Sequence, residues 1–189
     1  MSFRGLMVGR ALQVLLAAEL SVITALAAAP ASAQTSPGLK VRTSRTTGNV
    51  TFVTTDAPEG IPVKARAGMA APEPDHFLNQ HGHLFGVTDP SRQLARGRVS
   101  TDKLGHRQTT YKQMHNGVPV FTGVLRVHQD AAGRFRAANG RFFPLPEKLS
   151  TTPKLTADQA EAVARKALNR KDVALEKAEL TIVDPGWYG

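Results

Sequence analysis

Tyr111-Lys112-Gln113-Met114-His115-Asn116-Gly117-Val118-Pro119-Val120-Phe121 is the stretch that decides the fold. Asn-Gly between two runs of β-forming residues marks a two-residue hairpin, because both corner residues must take positive φ. The spacing predicts antiparallel strands over 109–115 and 118–128, with Gly117 at the corner. Tyr111 and Gln113, two apart, share a face of the first strand and are placed to pair with backbone. Pro119 has no N–H for a ladder and belongs at a strand start or an edge. Val118 and Val120 share one face, whereas Leu125 and Val127 have the opposite parity. One extra residue near Thr122-Gly123 would restore a continuous apolar face, so a β-bulge is expected there.

Outward from the hairpin, Asp130-Ala131-Ala132-Gly133 turns the chain into a third strand over 134–143. The result is a three-stranded antiparallel meander. Upstream, 49–54 alternates and is β-branched, as a strand would be. Pro58, Pro62, Pro72 and Pro74 forbid a long helix over 57–74. The spacing of Phe77, Leu78, His81, Leu84 and Phe85 suggests a short helix with Gly82 near its end, or else an extended apolar loop. The Thr-, Ser- and Gly-rich stretch 34–48 reads as a loose lead. Three prolines make 144–154 a linker and the best domain boundary. Beyond it, Thr156 and Gln159 form a capping box, and Ala160, Val163, Ala164, Ala167 and Leu168 make one apolar stripe. A strand over 175–183 follows. One helix and one strand cannot bury a core unaided, so this second module is read as incomplete.

At the front, residues 1–33 have a basic head with Arg4 and Arg10, an apolar run over 11–29 and the small-residue ending Pro30-Ala31-Ser32-Ala33. This is the layout of a secretory signal peptide, cleaved between Ala33 and Gln34. A membrane anchor is the competing reading. Glu19 in the middle of the run and the lack of a following Lys/Arg cluster weigh against it. The expected product is secreted, begins at Gln34 and has no stable membrane anchor.

The chain has 189 residues, 24 Lys plus Arg against 15 Asp plus Glu, a net charge of +9 and 41% hydrophobic residues. Those values fit a basic globular protein, not a disordered polycation. With no Cys, disulfide scaffolds, Cys-ligated metals and thiol catalysis are excluded. No zinc-protease H-E-x-x-H, nucleophile elbow, P-loop or dinucleotide fingerprint occurs, so no catalytic, cofactor-binding or metal-binding residue is assigned. His81, His83 and His76 form the nearest approach to a metal set, but no acidic ligand supports them at a suitable spacing. Arg92, Arg96, Arg98, Lys103 and Arg107 cluster in a stretch without aromatics, which suits an acidic protein partner or a solubilising surface better than nucleic acid.

The 111–121 stretch also resembles the core motif of the fungalysin/thermolysin propeptide family. The matching residues are Tyr111, Gln113, Gly117, Val118, Pro119, Val120 and Phe121, followed by Val127, His128, Asp130, Asn139 and Gly140. The sequence departs from that family at His115, Thr122 and Val124, where it tends to have an aromatic, a glycine and an acidic residue. Residues 155–160 and 180–189 resemble the opening and middle of a PepSY domain. The resemblance implies an α+β fold: a cystatin-like module of antiparallel sheet and packed helix over 49–143, then a partial PepSY module over 155–189. It also implies a non-catalytic pro-region of a secreted zinc metalloprotease precursor, acting as intramolecular chaperone and latency module. Its partner would be the protease catalytic domain, in cis or in trans, and zinc would belong to that domain. A stand-alone secreted binding or protease-inhibitor module is the alternative.

Overall fold

Asn116 and Gly117 take φ values of 48° and 82°, and the chain reverses there as the dipeptide predicts. Six strands are present among the described residues: β1 (Leu39–Thr43), β2 (Val50–Thr55), β3 (Leu94–Thr101), β4 (Arg107–His115), β5 (Val118–Gln129) and β6 (Phe135–Arg141). They form one antiparallel sheet in the order β1-β2-β6-β5-β4-β3. The computed structural model describes residues 38–168 and 178–183, all within the unit Ala33–Gly189. The expected signal peptide, the Ala33/Gln34 cleavage point and positions 175–177 lie outside the described residues.

The fold is α+β with an open sheet, wider than the meander read from the sequence. Two strands account for the difference. β1 lies within the stretch expected as a loose lead, and β3 within the basic stretch 92–107.

One face of the sheet is covered by α1 (Pro74–His81), a turn of 3-10 helix (Gly82–Phe85) and α2 (Pro90–Gln93). Pro74 suits the first turn because its missing N–H would be unpaired there anyway. Asp89 caps α2 by accepting from the Ser91 and Arg92 N–H groups. Strand alternation sends Val53, Tyr111, Leu125 and Val127 to the covered face, where they meet Phe77, Leu78 and Phe85 in one cluster. Phe77, Val53 and Val127 are wholly buried. Each such side chain contributes about 1.5–3 kcal/mol through removal from water.

The bulge lies where expected and is larger than one residue. Lys112 faces Val124 and Met114 faces Pro119, so β5 sets residues 120–123 against Gln113 alone. Thr122 turns the chain there with φ 59°, and Val120 and Gly123 both end up buried.

α3 (Ala157–Leu168) has its predicted capping box. Thr156 N–H donates to Gln159 Oε1 at 2.9 Å, and Gln159 N–H donates to Thr156 Oγ1 at 3.3 Å. None of its residues is buried. The strand expected over 175–183 is, among the described residues, a single bridge at Ile182.

Candidate functional site

The 111–121 residues divide their work between the two faces of the sheet and its bulge. On the covered face, the Tyr111 hydroxyl donates to the Asp75 carboxylate in the first turn of α1. Arg96, opposite Tyr111 on β3, reaches Glu73 at 3.5 Å and Asp75 at 3.7 Å. Burial, and then the hydrogen bond to Asp75, push the Tyr111 phenol pKa up. This cluster ties the start of the helix to the sheet. Sequence reasoning placed Tyr111 against backbone; its partner is a carboxylate, and no sequence signal linked it to Asp75.

Gln113 does pair with backbone. Its Nε2 donates to Phe143 C=O at 2.6 Å, and its Oε1 accepts from Phe143 N–H at 2.8 Å. A side-chain amide thus replaces a ladder partner just past the end of β6. The space exists because position 123 is glycine: a Cβ there would lie 2.7 Å from Gln113 Cβ. Gly140 is more tightly constrained. It takes φ 143°, and a Cβ would lie 2.0 Å from the Val124 carbonyl oxygen, a backbone atom that cannot step aside.

At the bulge the ladder opens and another segment enters. Phe121 N–H donates to Ile182 C=O at 2.8 Å, and Ile182 N–H donates to Pro119 C=O at 2.9 Å. Val120 and Ile182 thereby form a parallel bridge. Val120 is buried, and Phe121, beside the bulge, is 43% exposed. On the uncovered face, His128 Nε2 and Asn139 Oδ1 are joined at 2.6 Å across β5 and β6. This side also carries Arg42, Lys112, Arg126 and Arg141. The register gathers them from β1, β4, β5 and β6 through the pairs Arg42↔Phe52, Phe52↔Asn139, Arg126↔Asn139, Lys112↔Val124 and Val124↔Arg141. Sequence reasoning missed this gathering, although the alternation of Arg126 between Leu125 and Val127 signals its direction.

Several polar groups singled out in the sequence have structural partners. Two of the three histidines considered as ligands serve the helix: His76 Nδ1 accepts from Glu73 N–H at 2.8 Å, and His81 Nε2 lies 2.8 Å from Pro62 C=O. Among the described residues no group of three or more His, Cys, Asp or Glu is placed to hold a metal ion. Near His128, a depression of about 350 Å³ is lined by Asp102, His106 and Asp130 among others. Asp102 is held in its turn by the His106 and Leu104 N–H groups. The His106 bond is the main cause of its lowered carboxyl pKa, against the opposing effect of burial. That geometry makes Asp102 a turn residue.

Residues 93–142 match the Fungalysin/Thermolysin Propeptide Motif. The match runs from the end of α2 through β3, β4, β5 and β6 to the buried Phe142, so this propeptide motif is the contiguous part of the sheet. It contains Tyr111, Gln113, the hairpin, the bulge and the His128–Asn139 pair. Bacillolysin from Bacillus subtilis (strain 168) is 28% identical over 132 residues, covering 64% of this chain and 25% of the relative. Bacillolysin from Bacillus amyloliquefaciens is 32% identical over 100 residues, covering 52% and 19%. Thermolysin from Alicyclobacillus acidocaldarius subsp. acidocaldarius is 28% identical over 112 residues, covering 56% and 20%. The chain therefore spans a quarter or less of these relatives. No solved structure matches. Among the described residues no helix is long and apolar enough to cross a membrane.

Proposed function

We propose that this chain is the N-terminal pro-region of a secreted zinc metalloprotease precursor, acting as folding chaperone and latency module for the protease domain. The observation that carries this reading is the propeptide-motif match over the four contiguous strands, in a chain whose relatives are Bacillolysin and Thermolysin. On this reading 1–33 is a cleaved signal peptide, 49–143 the propeptide module, 144–154 a linker and 155–189 part of a PepSY module. The exposed stripe of α3, with Val163 at 58% and Leu168 at 51%, suits a module that packs against further structure. A pro-region acts by binding the folded form of its protease, which shifts the folding equilibrium by mass action; tethering raises its effective concentration. Zinc belongs to the protease domain.

The test is to refold denatured thermolysin with and without the chain supplied in trans. The chain should raise the yield of active protease; an unchanged yield overturns the chaperone role.

A further inference from the structure

The charges are distributed by element. None of the six strands contains Asp or Glu, while every strand except β2 contributes Lys or Arg. The acidic residues that cap and pair (Asp56, Glu73, Asp75, Asp89, Asp102, Asp130) are all in helices or connections. On the covered side of the sheet this acid-free character has an internal answer, since Arg96 meets Glu73 and Asp75. For Arg42, Lys112 and Arg126 at the centre of the uncovered side, no salt bridge is found among the described residues. Arg42 lies 6.0 Å over the ring of Phe52, and Arg141 5.8 Å over that of Phe143. Arg126 is half-buried. A partly desolvated guanidinium without a carboxylate is unfavourable in the isolated molecule and becomes favourable when an anionic group arrives.

The shape of this face suits a protein. Its central rows carry small or short side chains such as Thr110, Ala137 and Asn139, leaving a broad shallow depression lined by Thr51, Val124, Arg126, Asn139 and Arg141. Six strands about 4.8 Å apart give a face about 24 Å across. An area of roughly 600 Å² approaches one side of a standard protein–protein interface, about 800 Å² per partner. Arginine supported by an aromatic ring is typical of such surfaces. A strand-tracking nucleic-acid site would need a row of exposed aromatics for base stacking, and Phe52 is the one aromatic in the central row.

We propose that the uncovered face of the sheet, centred on Arg126 with Lys112 and Arg141, docks an acidic surface of the protease catalytic domain. This rests on the pro-region reading and adds to it the docking face and the partner's charge. Helix-covered and uncovered faces then have separate tasks: one holds the module together, and the other awaits carboxylates.

The experiment measures binding of the full chain to catalytically silenced thermolysin across a salt series. Two triple variants carry the same change in net charge: Lys112→Glu/Arg126→Glu/Arg141→Glu on the face, and Lys64→Glu/Lys148→Glu/Lys154→Glu on exposed connections. The face variant should bind about 10- to 100-fold more weakly with a flattened salt dependence, while the connection variant stays within about twofold of the parent. If the face variant does not fold by circular dichroism, Lys112→Gln/Arg126→Gln carries the test, with a smaller loss in the same direction. Equal losses in both variants would reduce the effect to net charge and overturn the proposal. Parent-like binding by the face variant would overturn the docking face but leave the pro-region reading intact. Failure of the parent chain to bind at any salt concentration would overturn both. Binding to heparin or DNA, with no binding to thermolysin, would replace the protein partner with a polyanion.

Discussion

The two faces of this sheet have the same six backbones and opposite chemistry. The face under α1 carries Val53, Tyr111, Leu125 and Val127, nearly without exposure. On the other face Arg126 and His128 alternate with those residues and stay partly exposed, and Arg42 and Lys112 are exposed. The difference shows where stability resides and where it does not, and substitutions of graded severity can test the division.

Phe77→Ala attacks the covered face most directly. It removes a wholly buried ring packed 5.4 Å from Phe135 and should cost about 3–5 kcal/mol, read as a lowered denaturation midpoint. Gln113→Ala comes next, at about 2–4 kcal/mol, since it strands both backbone groups of Phe143. An unchanged midpoint there would mean that the amide splice contributes nothing. Tyr111→Phe should cost about 1–2 kcal/mol near neutral pH, because the half-exposed Asp75 regains water and keeps Arg96. It should also change the response to alkali. The folded-state pKa of Tyr111 lies above its unfolded value, so its contribution is complete below the ordinary tyrosine pKa of about 10 and is lost as pH rises past it. Melting curves from pH 7 to 11 should therefore fall more steeply for the parent than for Tyr111→Phe.

Thr122→Gly should act in the other direction, with a gain of about 1 kcal/mol. A β-branched residue at φ 59° is strained, and its hydroxyl is buried without a partner. A lower melting temperature would show that the Thr122 methyl packs more usefully than its backbone strains. The smallest effect belongs to the open face: Lys112→Gln should move the midpoint by less than about 0.5 kcal/mol. A larger loss there would erase the contrast between the faces.

Much of the covered face was legible in the sequence because its signals are local. Asn116-Gly117 marks a corner, and the spacing of Phe77, Leu84 and Phe85 marks the cover; away from that face, Thr156 and Gln159 mark a helix start in the same local way. β1 and β3 were missed for a physical reason. Each is an edge strand, paired on one side, and needs few apolar residues; β3 reads Leu-Ala-Arg-Gly-Arg-Val-Ser-Thr. Arg96 reaches across the covered side to Glu73 and Asp75 at the start of α1, so a basic cluster conceals a strand. The extent of the bulge was also hidden, because the positive φ at Thr122 is carried by a residue type that rarely adopts it. The basic face was the least visible, since register, not spacing, brings Arg42 into line with Arg126.

The strand order has a consequence for the time course of folding. β3, β4, β5 and β6 join neighbours in sequence, and their loops close at small entropic cost. β2 must instead find β6 across more than eighty residues, as the pair Phe52↔Asn139 shows. Loop-closure entropy and contact order place such a pairing late. The meander that matches the propeptide motif should therefore form before the β1–β2 hairpin completes the sheet. Until that moment β6 is a bare edge with the Arg126 row already assembled beside it, so a partner arriving during synthesis could meet the basic face before the module has finished folding.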